Sequence, residues 1–228
     1  MTASLVIAAL VLGAGQDATD APPGLASWIP PVSGRLFSVA GKLEVTPGLG
    51  FSLADPFLEK IIPQLSIGYH LDEAFYLGAK LGYGLSFSAG EANACASVGS
   101  GLSCGGPTSA QLAELPGQMS GFGLVEFGWT PIYGKLRLVG DEVLHFDFSL
   151  LLGAGAILAG LPAAPDGTTA AKTTVAPALG PGVGERFFVS DGMAVALELR
   201  DYLYEAGGVQ GQLVFNVGFS FLFGGGGH

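Results

Sequence analysis

Positive charge is scarce in this chain. Nine Lys and Arg stand against 19 Asp and Glu among 228 residues, for a net charge of −10. No basic cluster exists to neutralise phosphates, which excludes a nucleic-acid partner. Long apolar runs are missing as well, although 49% of the residues are hydrophobic. The longest nearly uncharged stretch of the body, residues 148–160, falls short of the roughly 17 residues that a spanning helix needs. Cysteine is almost absent: Cys95 and Cys104 sit in a polar stretch, EANACASVGSGLSCGGPTS, with no His or acidic partner at metal spacing. That context favours a loop disulfide, formed in an oxidising compartment, over a zinc site. Neither a metal nor a cofactor is expected, because the glycine runs at 153–155 and 180–184 lack the strand-to-helix context of a phosphate-binding loop.

What the chain has instead is alternation. In the last segment Leu213, Phe215, Val217, Phe219, Phe221 and Phe223 share one parity, while Gln212, Asn216, Gly218 and Ser220 share the other. A strand with six large apolar groups in a row must set that face against a packed core or lipid. The same pattern recurs. Leu43, Val45, Leu49, Phe51 and Leu53 oppose Lys42, Glu44, Thr46, Gly48, Gly50 and Ser52. Leu65, Ile67 and Tyr69 oppose Gln64, Ser66, Gly68 and His70, and Phe75, Leu77, Ala79, Leu81, Tyr83, Leu85 and Phe87 oppose Tyr76, Gly78, Lys80, Gly82, Gly84 and Ser86. Further strands set Val125, Phe127 and Trp129 against Ser120, Phe122, Leu124 and Glu126, and Phe146, Phe148, Leu150 and Leu152 against His145, Asp147, Ser149 and Gly153. The last two set Leu179, Val183 and Phe187 against Gly180, Gly182, Gly184 and Arg186, and Val195, Leu197, Leu199 and Leu203 against Glu198, Arg200, Tyr202 and Tyr204. Faces this small and polar pack poorly as a sandwich. Eight strands predict an all-β fold, an eight-stranded antiparallel up-and-down transmembrane β-barrel with both termini periplasmic.

The ends and connections fit export. Residues 4–12 are apolar and are followed by Gly13, Ala14 and Gly15, so residues 1–15 read as a signal peptide although no Lys or Arg precedes the run. Residues 16–33 read as a Pro-rich periplasmic linker, 34–223 as the barrel and 224–228 as a Gly-rich tail. Short links at 70–74 and 190–193 alternate with long ones at 88–118 and 158–175 and with middling ones at 54–63 and 205–211, as turns and loops on opposite membrane sides would. The long inner-side connection 131–142 breaks that scheme and reads as a hairpin extension beneath the barrel, because residues 134–139 themselves alternate.

The ending Asn216, Gly218, Phe221 and Phe223 resembles the polar-x-Gly-x-x-aromatic-x-aromatic signal read by the outer-membrane barrel assembly machinery. The body resembles the small outer-membrane β-barrel family of myxobacteria and their relatives, within the OmpA/OmpX-like eight-stranded type. The carriers are KLEVTPG at 42–48, DPF at 55–57, YH at 69–70, TPIYGK at 130–135, HFDF at 145–148, GERFF at 184–188 and ELRDYLY at 198–204. The resemblance implies a Gram-negative outer-membrane address with lipid and lipopolysaccharide as surroundings. It implies no general activity.

Function then depends on the interior. Lys42, Lys80, Arg186 and Arg200 face Glu44, Glu126, Asp147 and Glu198, with His145 beside Asp147. Balanced signs in a narrow lumen predict a plug of salt bridges in the lower half. The upper half, with Gly48, Gly50, Gly82, Gly84, Ser86, Ser120, Gly180 and Tyr202, is expected to leave an outward-facing cup or room for an infolded loop. His145, Asp147 and Ser149 superficially supply a base, an orienter and a nucleophile, which keeps open a lipid A-modifying or other lipid-active enzyme. Their spacing along one strand, about 6 to 7 Å per step, puts the acid between the other two and favours a structural His–Asp pair. A narrow pore is the other alternative, and an eight-stranded interior is just wide enough for side chains. The expectation is a non-enzymatic barrel with a structural, anchoring or loop-mediated binding role, a protein partner docking at its extracellular loops.

Overall fold

The structure, a computed structural model, describes residues 36–53, 58–88, 94–98, 101–105, 118–137, 143–161 and 172–224. The expected signal peptide and linker, and the tail beyond Gly224, lie outside the described residues.

Among the described residues eleven strands follow one another: β1 Lys42–Leu53, β2 Leu58–His70, β3 Phe75–Tyr83, β4 Leu85–Ser88, β5 Ala94–Val98, β6 Gly101–Gly105, β7 Gln118–Arg137, β8 Val143–Leu161, β9 Lys172–Ser190, β10 Met193–Glu205 and β11 Val209–Gly224. Every pairing is antiparallel, and β1 pairs with both β2 and β11, which closes the sheet. β4 continues the line of β3 along β2, so the ring has eight staves. Closure leaves no edge whose backbone groups would face lipid unpaired.

The tilt can be read from the register. Partners run from Leu43 to Tyr69, Leu77, Phe127, Leu152 and Pro181, then across to Asp201, Leu213 and Leu53. The circuit therefore returns 53 − 43 = 10 residues further along β1, which inclines the strands by about 40° to the axis. Inclination places residues of very different number at one height. It thereby assembles the interior clusters described below.

Side-chain parity is as the alternation requires. Leu81, Val125 and Phe219 are more than half exposed, whereas Asn216, Ser220, Arg200 and Asp147 on the inward parity are buried. The outside is one continuous apolar surface, the lipid-facing band of a transmembrane barrel. Four carboxylates, Glu59, Glu185, Asp201 and Glu205, share the outward parity, and Asp201 stands between Leu199 and Leu203 and opposite Leu213.

Local chemistry sets the turns. The Asp72 carboxylate accepts from the backbone N–H of Ala74 (2.7 Å) and Phe75 (2.8 Å), pinning the tight β2–β3 turn at the end of the barrel that carries both termini. At the opposite, loop end, β5 and β6 form a separate hairpin in which Cys95 and Cys104 are exposed, stand opposite each other and are disulfide-bonded. β2 begins at Leu58, so its link to β1 is shorter than the 54–63 expected. β7 does not stop at Pro131: its register slips between Trp129 and Ile132, and the strand continues to Arg137 against β8. Residues 132–137 thus extend the barrel wall past the β2–β3 turn, paired with 143–148, and residues 145–148 pair in turn with residues 185–188 of β9. A bulge lets Pro131 sit where no ladder N–H is needed.

Candidate functional site

The lumen is filled in layers. Nearest the chain ends, Arg186 on β9 grips Asp147 on β8 through two bonds, Nε to Oδ1 at 3.0 Å and Nη2 to Oδ2 at 2.7 Å. Its Nη1 reaches Glu44 on β1, which also meets His70 Nε2 on β2 at 2.6 Å. Thr46 Oγ1 donates to Glu44 (3.0 Å) and pairs with Ser220 Oγ (2.8 Å), tying β1 to β11. Bidentate guanidinium geometry of this kind satisfies a carboxylate that burial would otherwise penalise.

A second cluster lies one layer further in. Lys80 Nζ on β3 spans both oxygens of Glu198 on β10 at 2.6 and 2.7 Å. Arg200 bridges Glu198 (2.6 Å) and Glu126 on β7 (2.6 Å), and it also donates to the Gly180 carbonyl at 3.1 Å. Ser66 donates to Glu126 (3.1 Å) and pairs with the Tyr76 hydroxyl (2.9 Å). Asn216 Nδ2 donates to Glu198 at 3.2 Å. Between the two clusters is a polar-lined cavity of about 80 Å³ bounded by Glu44, Tyr76, Glu126, Arg186, Glu198 and Asn216. It has room for on the order of five waters. The buried Asn216 Oδ1 and Gln64 Oε1 have no protein partner.

Above these clusters the expected cup is absent. Ile62, Met119, Phe122, Leu124, Ile157, Tyr202, Tyr204 and Val214 form a buried apolar core across the loop-end half of the lumen. The Phe122 and Tyr202 rings lie 4.6 Å apart. Glycines counted as open space are the floor under large neighbours: a Cβ on Gly82 would stand 2.4 Å from the Phe122 ring. Among the described residues this half of the lumen is closely packed.

The structure therefore brings together Glu44, Lys80, Glu126, Asp147, Arg186, Glu198 and Arg200, but not Lys42 or His145. Lys42 sits at the rim, its ammonium donating to the Asp191 carbonyl at 2.9 Å. One residue of strand separates it from Glu44, and the end of β1 lies beyond the mouth of the lumen. His145 faces inward but on the projecting extension of the wall, where its ring meets Phe37 edge-on at 5.1 Å and lies 6.0 Å from Tyr133. Without Lys42, four carboxylates face three permanent cations in these two clusters, with His70 as a further basic group, and Lys60, which the parity reading did not count, is a fourth buried lysine or arginine of the lumen, donating to Gln212 Oε1 at 2.7 Å. His70 and Tyr76 were visible on the inward parities of their strands. Only counting them as polar lining, not as charge partners, hid their part.

The residues of the supposed triad have separate engagements. Asp147 is held by Arg186, and Ser149 Oγ pairs with Thr130 Oγ1 at 2.8 Å. Among the described residues no group of three or more His, Cys, Asp or Glu side chains could hold a metal ion. In the assembly ending, Asn216 and Gly218 face the lumen, while Phe221 and Phe223 face outward and are exposed.

No family model and no curated protein matches the chain. Among solved structures it is similar to the N-terminal β-barrel domain of Pseudomonas aeruginosa OprF, at 11% identity and a TM-score of 0.43, over 81% of this chain and 98% of that one. It is similar to Ail, the attachment invasion locus protein of Yersinia pestis, crystallised with the heparin analogue sucrose octasulfate, at 11% identity and 0.43 over 81% and 99%. It is also similar to Neisserial surface protein A, at 10% identity and 0.39 over 82% and 99%. Ring closure rests on the strand register and not on these likenesses. The narrower resemblance to barrels of myxobacteria finds no counterpart among them.

Proposed function

We propose that this chain is an integral outer-membrane barrel of a Gram-negative cell, with its loop end outward, whose work is anchoring or loop-mediated binding and whose interior is structural. The observation that carries this is the largely filled lumen: among the described residues two ion clusters, with a small cavity between them, and an apolar core occupy it. A pore of solute size does not fit that packing. Catalysis is disfavoured because Asp147 serves Arg186, His145 packs edge-on against Phe37, and Ser149 pairs with Thr130. By its sequence motifs the chain resembles the small barrels of myxobacteria and their relatives. Lipopolysaccharide surrounds the outer face, the barrel assembly machinery recognises the C-terminal strand, and a protein partner docks on the loops.

The disulfide-bonded β5–β6 hairpin is the foremost contact surface, since the bridge restricts the loop before docking and reduces the entropy lost on binding. Whole-cell thiol labelling with an impermeant reagent, before and after reduction, tests the reading. Label entering intact cells only after reduction supports it. Free thiols before reduction, or labelling only once the outer membrane is broken, contradict it.

A further inference from the structure

Residues 36–41, just before β1, pack into the barrel at the end where β1 begins. Val39 is completely buried in a second apolar cluster with Phe188, Ala194 and Leu222, separate from the core at the loop end. Phe37 packs against the same cluster, its ring stacked on Phe188 at 5.5 Å and edge-on to His145. Tyr133 completes the socket, so the projecting extension supplies two of its walls. That gives the extension a purpose: it is the part of the wall that surrounds Phe37.

The segment is held there by few polar contacts, most of them to one side chain. The Glu73 carboxylate, in the β2–β3 turn, accepts from Ser38 Oγ and lies 3.3 and 3.4 Å from the backbone nitrogens of Val39 and Ala40. Gly41, at a φ of 71°, reverses the chain so that it leaves the socket and enters β1. Two apolar side chains, one carboxylate and the Gly41 N–H donating to the His70 carbonyl at 2.9 Å are a small attachment compared with the continuous ladders of the barrel wall. Such a contact opens locally at far lower cost than the barrel unfolds.

Directly behind the stopper lies the Glu44–His70–Arg186–Asp147 cluster, and beyond that the polar cavity. We propose that residues 36–41 are a removable stopper, an autoinhibitory strap whose withdrawal opens the ion-lined cavity to small polar solutes from the terminal end while the apolar core keeps the loop end shut. This goes beyond the anchoring reading: the barrel becomes a blind cup facing the chain-end side, uncovered when the preceding segment is pulled or bound.

The test uses the full chain refolded in detergent micelles, with Ser149→Cys as a reporter on the cavity wall. Cys95 and Cys104 are bridged, so the reporter is the reactive thiol. Its modification rate by a small charged methanethiosulfonate is compared between the parent strap, Glu73→Gln, and Phe37→Ala with Val39→Ala. Each variant is first shown to keep the heat-modifiable mobility of a folded barrel. The inference expects slow labelling with the parent strap, and acceleration of at least tenfold in the double variant and several-fold in Glu73→Gln. Equal rates in all folded forms, or fast labelling with the strap intact, would overturn it. If the double variant does not fold, Glu73→Gln alone decides, because it leaves the apolar cluster and the barrel ladders in place.

Discussion

Replacing Arg186 with Met should be among the most damaging single changes in the lumen. The guanidinium holds Asp147, whose side chain is completely buried, and Glu44, which is nearly so. Removing it strands one carboxylate outright and leaves the other with His70 and Thr46 as partners. Breaking a buried ion pair from one side costs about 3–5 kcal/mol. With a urea slope of about 2 kcal/mol per molar, the unfolding midpoint of the refolded barrel should fall by roughly 2 M. The diagnostic result comes from adding Glu44→Gln and Asp147→Asn to Arg186→Met. With the stranded charges gone the deficit should shrink by at least half, because the single-variant penalty is uncompensated charge and not lost packing. Equilibrium urea titrations followed by the shift in mobility of unheated samples measure both. A single variant that loses less than about 1 kcal/mol, or a triple variant less stable than the single, would refute the reasoning.

Three other outcomes follow from the same structure. Gly82→Val should cost about 1–3 kcal/mol, since its side chain would collide with the Phe122 ring; a neutral result in the same titration would contradict the packed upper lumen. Asp201→Leu should raise stability by about 1 kcal/mol, because it removes a carboxylate from the lipid-facing parity beside Leu199 and Leu203, and a stability loss would place Asp201 elsewhere. In planar bilayers the protein should insert without steady large-conductance steps; reproducible porin-sized steps over many insertions would contradict the filled lumen.

Strand identity and face were readable in the chain because parity in a closed barrel is unforgiving: a one-residue slip would turn the row from Leu213 to Phe223 into the lumen. Three things were not readable, each for a physical reason. The segment 131–142 reads as a hairpin extension, and β7 does run on to Arg137 against β8, but the bulge at 129–132 that makes the extension continuous with the wall leaves no mark in the pattern. On that extension His145 lies one inward position beyond Asp147 and meets Phe37 and Tyr133, so its shared parity with Asp147 did not make them partners. Inward glycines such as Gly82 and Gly180 read as empty space, whereas the inclination of the strands brings Phe122, Leu124 and Arg200 over them. Height within a barrel depends on the shear, which no single strand reveals. Phe37 and Val39 belong to a segment too short for any periodicity, and only the socket formed by Tyr133, Phe188, Ala194 and Leu222 makes their role visible.

The most direct test of the account is a spin-label scan of single cysteines along β3 and β11 in the protein reconstituted into lipid, with Cys95 and Cys104 left bridged. Oxygen accessibility should peak at positions 77, 79, 81 and 83 and again at 215, 217, 219 and 221, with low values at the positions between. A flat profile, a helical period, or accessibility to a water-soluble relaxant on the odd positions would contradict a lipid-facing, internally filled barrel.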